Sequence, residues 1–192
     1  MSSDAVAVRP LRADARRNRE AVLKAAGKAF AEYGLDAQMD DIAARAGVGV
    51  GTVYRHFPTK EALIEALQAD RWLRLAAAAE PHRYADDAWE GLTGFLWGAA
   101  RLQLENRAWA ELAAAAPLDL SAEDERQVLL AVTQKLVDRA KEAGAVRADL
   151  SAHDIGMLMC GTASVMRTTG AHDGARHWER FFELGLQGLR PE

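Results

Sequence analysis

Between Asp40 and Leu63 the chain reads DDIAARAGVGVGTVYRHFPTKEAL, and this stretch restricts the fold more than any other. Two short amphipathic runs flank a break that holds Gly47, Gly49 and Gly51. In the first run, about Met39–Ala46, Ile42, Ala43 and Ala46 fall on one helical face. Gly47 closes that run, since a left-handed cap costs glycine least. The second run begins near Val50 and ends by Phe57, because Pro58 disfavours helix in the residue before it. Val53 and Phe57, four apart, point that short helix toward a core. Two short helices joined by a tight glycine turn make a helix-turn-helix, whose second helix projects from the body of the domain.

The rest of the chain repeats the helical period without a convincing alternating strand. A first helix from about Leu11 to Tyr33 carries Val22, Leu23, Ala26, Ala29, Phe30 and Tyr33 as its stripe, and Gly34 stops it. Thr59 reads as the N-cap of a helix over Lys60–Ala79, ending before Pro81. Further helices are expected over about Tyr84–Asn106, with Trp89, Leu92, Leu96, Ala99 and Leu102 on one side, and over Trp109–Ala116. Capping boxes at Ser121–Asp124 and Ser151–Asp154 open two more, to about Ala143 and Thr169, closed by Gly144 and Gly170. The last helix covers about Asp173–Leu189. The expectation is an all-α protein of about nine helices: a three-helix head over residues 1–60, a linking helix over 60–79, and a helical bundle over 80–192.

Composition narrows the functional classes. Hydrophobic residues make up 49% and charged residues 27% of 192 residues, a balance that supports a globular core. No apolar run approaches the ~20 residues that span a bilayer, and the first residues lack a signal-peptide apolar core. The lone cysteine, Cys160, excludes an internal disulfide framework, suits a reducing cytoplasm, and is expected as a buried thiol. There is no G-x-S-x-G elbow, H-E-x-x-H pair, P-loop or dinucleotide fingerprint to support an enzyme, and no cofactor is implied. Of the net charge of −4, residues 1–60 hold ten Lys/Arg against seven Asp/Glu, a net +3, which leaves −7 on the remainder. A polyanion therefore belongs at the head.

The second helix of the pair carries side chains suited to such a contact. Thr52, Tyr54 and His56 end in hydrogen-bonding groups, and Lys60 adds a cation where the next helix begins. That helix start also offers free N–H groups and the positive end of a dipole, a natural phosphate site. Gly51 lets the backbone approach closely, and the major groove is wide enough for a helix. A Tyr-Arg-His run on an arbitrary helix is more often a solvated face, whereas Arg16, Arg17 and Arg19 are equally compatible with reaching the nucleic-acid backbone from the first helix and with a solvated charge run. His56 has no partner at metal or general-base spacing nearby.

The pattern IA–AGV–G-T-V-Y-R-H-F–K-E-L, spread over roughly Arg16 to Leu67, resembles the DNA-binding head of the TetR family of transcriptional regulators. The resemblance implies that Val50, Gly51, Thr52 and Arg55 lie near bases or the groove wall, and that Tyr54, His56 and Lys60 meet phosphates. Where the family often opens its second helix with Ser or Thr, this chain has Gln38-Met39, so an amide donor from Gln38 takes that place. Gly49 likewise stands at a position where a polar residue is common. The resemblance also implies a regulator, in most cases a repressor, that a small effector releases from a palindromic double-stranded operator. It further implies a homodimer formed through the last two helices.

For the dimer face, Gly156, Cys160, Ala163 and Ser164 form a stripe of small residues over 151–169. Trp178, Phe181, Gly185 and Leu189 form a second over 173–189, with Phe182 and Leu186 beside it. Both stripes are equally compatible with packing inside one subunit. Candidate effector-pocket residues are Trp89, Trp97, Arg101, Trp109 and Met157, with the pocket expected between the helices that carry Trp97 and Met157. An enzyme or carrier with a merely structural head, and an architectural DNA binder without an effector, are the competing readings.

Overall fold

The computed structural model describes residues 8–105 and 122–191, with the backbone alone for residues 8–12, 105 and 170–176. Among these residues there is no strand. Helix α1 spans Val8–Tyr33 and stops where Gly34 adopts φ +57° and opens a 3-10 turn, Gly34–Asp36. Helices α2, Met39–Ala46, and α3, Val50–His56, follow. Helix α4, Lys60–Ala79, starts at the Thr59 cap, whose hydroxyl accepts the Ala62 N–H at 3.1 Å. After it come α5, Ala88–Glu105, α6, Glu123–Glu142, and α7, Ala152–Gln187.

Two buried clusters share α4. The head cluster gathers Val22, Ala26, Phe30, Ile42, Val53, Leu63 and Leu67. The body cluster gathers Leu75, Ala79, Leu92, Leu96, Val137, Trp178 and Phe182. The crossover lies within α4, between Leu67 and Leu75, so this one rigid rod connects the two cores.

Several expected boundaries move for tertiary reasons. Helix α5 starts at Ala88, not Tyr84, because Pro81 begins a 3-10 turn over Glu80–Tyr84 and Asp87 supplies the cap, accepting the Glu90 N–H at 2.8 Å. That elbow is tightly seated. A Cβ on Gly91 would stand 2.7 Å from the His82 carbonyl oxygen, and one on Gly94 2.9 Å from the His82 ring. Arg139 of α6 fastens the elbow by donating to the carbonyls of Arg83, at 3.2 Å, and Ala85. The expected Trp109–Ala116 helix and Ser121 fall outside the described residues. Helix α6 begins after Ala122, which takes φ +62°, and its end is closed by Gly144 at φ +64°.

The backbone of α7 is helical over 36 residues, yet the run doubles back. A Cβ on Gly161 would lie 3.4 Å from Phe181 Cζ, and one on Gly185 would strike Leu158 Cδ1. In a straight helix, residues twenty apart are separated by about 30 Å. The run therefore folds back as two antiparallel arms, although the helix does not end at Gly170 as expected and its helical backbone continues through that residue. The Ser151–Asp154 capping box opens the first arm: Ser151 Oγ accepts the Asp154 N–H at 3.3 Å, and Asp154 Oδ2 accepts the Ser151 N–H at 2.8 Å.

The arms divide their residues differently from the sequence stripes. Trp178, Phe182, Leu186 and Leu189 are buried in the subunit, so Trp178 and Leu189 do not share an outer stripe with Phe181. Met157, Phe181 and Leu184 are exposed instead. Cys160, expected as a buried thiol, is also exposed, because it lies one helical turn from Met157 on the same outward side.

Candidate nucleic-acid interface

The turn between α2 and α3 explains how α3 is presented. Gly47 at φ +68° caps α2 and donates its N–H to Ala43 and Ala44 carbonyls, and the Val48 N–H returns to the Ala43 oxygen at 3.1 Å. Gly49, in extended conformation, then opens α3, its carbonyl accepting the Thr52 N–H at 2.8 Å. Val53 and Phe57 bury completely or nearly so beneath this helix. That anchoring leaves Val50, Gly51, Tyr54 and Arg55 exposed on the opposite side, with Thr52 half-buried at the margin. Nothing lies within 4 Å of a Cβ built on Gly51, so the surface there is open.

Beside α3, an open depression of about 470 Å³ gathers Gln38, Tyr54, Thr59 and Lys60, together with Asp40. Three expected phosphate ligands from three different elements therefore share one concave surface at the first turn of α4. The donors of Lys60 and Gln38 are occupied locally. The Lys60 ammonium donates to the Leu35 carbonyl and lies 5.9 Å from the centre of the Phe30 ring. Gln38 Nε2 donates to the Asp36 carbonyl at 2.6 Å, and its side chain does not cap α2. The carboxylate of Asp40 is a component that the sequence reading overlooked; its position in the first turn of α2, two residues after Gln38, was the available signal.

His56 lies elsewhere. Its Nε2 is enclosed without a hydrogen-bond partner, and the ring lines a separate groove with Arg19, Phe57 and Glu125. Arg19 is committed to that side, with its guanidinium 5.4 Å from the Phe57 ring centre. Arg16 pairs with Glu20 at 3.7 Å and Arg17 pairs with Asp14, all on the exposed face of α1.

The angle between α1 and α2 is held by Arg45, which donates to Glu32 Oε2 at 2.7 Å and to the Tyr33 hydroxyl at 3.2 Å. The Tyr33 hydroxyl and then Arg45 hold the Glu32 carboxyl below its ordinary range. The same carboxylate raises Tyr33 and Arg45 above theirs. The cluster keeps its charges at neutral pH and braces the helix that precedes the turn.

Sequence comparison decides what this surface belongs to. The profile described as bacterial regulatory proteins, tetR family, matches residues 22–67. The profile of the SbtR-like transcriptional regulator C-terminal domain matches residues 87–191, more than half of the chain. The chain belongs to the TetR family.

Among solved structures, a TetR regulator from Mycobacterium vanbaalenii shares 37% identity, with a TM-score of 0.69 over 94% of this chain and 99% of that one. One from Streptomyces coelicolor shares 33%, with a TM-score of 0.68 over 90% and 98%. The uncharacterized HTH-type transcriptional regulator TtgW of Pseudomonas putida is 35% identical over 81 residues, which is 42% of this chain and 60% of that protein. As a TetR-family member the protein is a DNA-binding transcriptional regulator.

Among the described residues, the expected effector residues Trp89, Trp97, Arg101 and Met157 sit in different surroundings. Trp89 is half-buried beneath the Arg190 guanidinium, 3.8 Å from its ring centre. Trp97 meets Phe182 edge-on at 4.8 Å and Trp178 at 5.9 Å. Arg101 is exposed, and Trp109 lies outside the described residues. Met157 is 70% exposed, so it does not face Trp97 across an interior pocket: it projects from the outer side of its arm. Among the described residues no three His, Cys, Asp or Glu side chains converge on a metal position, and no helix is long and apolar enough to cross a membrane.

Proposed function

We propose that the protein is a dimeric, ligand-released repressor. Val50, Gly51, Thr52 and Arg55 enter the major groove, while Tyr54, Lys60 and Gln38 meet flanking phosphates, with His56 contributing if its ring turns outward. The observation that carries this reading is the division of α3: Val53 and Phe57 are sunk in the head core, and Val50, Gly51, Tyr54 and Arg55 are left exposed beside the depression that holds Lys60. On binding, Lys60 exchanges the Leu35 carbonyl for a phosphate, a stronger, charge-assisted partner.

The homodimer packs through the outer side of the two α7 arms, 151–169 and 173–189, where Met157, Phe181 and Leu184 form an apolar patch. Two recognition helices then address successive major grooves about 34 Å apart, and hence a palindromic operator.

The effector belongs between α5 and the α7 arms. Two polar atoms on these helices, Gln103 Oε1 of α5 and Trp178 Nε1 of α7, are enclosed without hydrogen-bond partners, an arrangement that costs about 1–3 kcal/mol each. A ligand that satisfies them and favours a dimer with altered spacing of its α3 helices releases DNA.

Titration onto DNA from upstream of the reading frame, and onto a random-site pool, at several salt concentrations tests the first part. Selective binding with a steep salt slope is expected, and is lost in a Tyr54→Ala/Lys60→Ala variant. Absence of selection from the random pool would refute DNA reading by this head. An effector that binds the body and leaves operator affinity unchanged would refute the release mechanism.

A further inference from the structure

The first turn of α3 is apolar where it is exposed. Gly49, Val50 and Gly51 are all open to solvent, and nothing lies within 4 Å of a Cβ built on either glycine. Val48 packs against the head core, whereas Val50 stands outside that cluster and is 40% exposed. The exposed polar groups of α3 come later, from Tyr54 and Arg55, with Thr52 half-buried at the margin. A lone exposed valine is ordinary on a protein surface. Here, however, the glycines on both sides leave Val50 as the only side chain that a partner meets along three residues.

Valine has no hydrogen-bonding group, so it cannot tell bases apart by donors and acceptors. Of the four bases only thymine presents a methyl group in the major groove, and apolar side chains read it by contact. Against the donor or acceptor atoms of the other base edges, Val50 would strip water from a polar group and offer nothing in return. Valine is also short, so it reaches a base edge only if the backbone of α3 comes close. Gly49 and Gly51, without side chains and with open space around them, leave room for that approach.

We propose, resting on the reading of α3 as the helix that enters the major groove, that Val50 reads a thymine methyl in each operator half-site. The contact is made possible by the bare glycines on either side of it. Val50 is then a specificity-determining residue that acts by apolar contact, beside the charged and hydrogen-bonding readout available to Arg55.

The test uses the full-length protein and an operator selected from a random-site pool, with each thymine replaced in turn by deoxyuridine, which lacks only the methyl group. One thymine per half-site is expected at which uracil weakens wild-type binding about fourfold, the worth of one buried methyl. Val50→Ala should bind the thymine and uracil duplexes equally at that position, closing the double-mutant cycle. Lys60→Ala, at an expected phosphate contact, should weaken both duplexes alike and keep the fourfold ratio. Gly51→Leu, whose side chain has open space around it, should hold the backbone off the groove and weaken operator binding at least about tenfold, as the loss of several close contacts does. Circular dichroism on each variant separates these effects from unfolding. Uracil tolerated at every thymine, a uracil penalty retained in Val50→Ala, a ratio abolished in Lys60→Ala, or full operator affinity in Gly51→Leu would overturn the proposal. A pool that yields no selected sequence removes DNA reading by the head altogether, whereas a selected operator indifferent to uracil removes only the role of Val50.

Discussion

Gly161 lies against the ring of Phe181, so that a Cβ on the glycine would stand 3.4 Å from Phe181 Cζ. This contact pairs the two arms of α7 and leaves Met157 and Leu184 on their outer side, 70% and 51% exposed. If that side is the dimer face, Met157→Glu or Leu184→Arg places a charge in an apolar contact and separates the subunits. Sedimentation should then report monomers with an unchanged circular dichroism spectrum. Operator affinity should fall by about 10²–10⁴, because two linked half-site contacts become independent. A variant that remains dimeric would move the interface elsewhere.

At the DNA face, charge and hydrogen bonding make separable predictions. Lys60→Ala should weaken all sequences alike and lower the salt slope by about one. Arg55→Ala should instead relax selectivity, costing about 1–3 kcal/mol on the preferred site if the guanidinium reads a base pair. Asp40 shares the depression with Lys60, so its carboxylate repels an incoming phosphate. Asp40→Asn should tighten binding severalfold at low salt, in the manner of a surface charge, and salt-dependent gel shifts on one operator and one scrambled duplex measure all three. An equal loss on both duplexes for Arg55→Ala would place that residue on the backbone.

Which features were legible in the sequence follows from how local their causes are. Gly47, Pro58 and Thr59 act within a turn of their own position, so the ends of α2, α3 and α4 could be read directly. The inward pair Val53 and Phe57 followed from spacing alone. Where a distant element decides the outcome, the sequence was silent. The seating of the elbow before α5 depends on His82 packing against Gly91 and Gly94. That His56 shares a groove with Glu125 depends on α6 approaching the head. Met157 and Cys160 face outward because the arms of α7 pack on α5 through Trp178 and Phe182 instead, and one helical period cannot tell an inner apolar face from an outer one.

The glycines allow a direct contrast in stability. At Gly91 an added methyl meets the His82 carbonyl at 2.7 Å, a backbone atom with no room to yield. Gly91→Ala should cost about 1–3 kcal/mol, as overpacking does. Gly27, within α1, has nothing within 4 Å of its Cβ position, so Gly27→Ala should stabilise by about 0.5–1 kcal/mol through helix propensity alone. Urea midpoints moving in opposite directions would confirm the pair; equal destabilisation would mean that the α1 face at Gly27 is covered in the assembled protein.

The capping box at Ser151 has a pH signature. The Ser151 hydroxyl, and then its backbone N–H, hold the Asp154 carboxyl below the usual carboxylate range. A carboxyl with a depressed folded value is protonated first in the unfolded chain as pH falls, so acid favours unfolding. Its contribution is complete above the unfolded value, about 3.9, and disappears as pH drops through the lower folded value. The stability gap between the wild type and Asp154→Asn should therefore be constant from about pH 8 to 5 and narrow below about pH 4, and it should shrink with salt because the group is exposed. Ser151→Ala, which removes the hydroxyl that caps the first turn, should cost about 1 kcal/mol at neutral pH. Urea titrations at neutral pH and at successive steps below pH 5 test the sign: a gap that widens in acid would mean that Asp154 is held above its ordinary value, and the capping geometry would then be wrong.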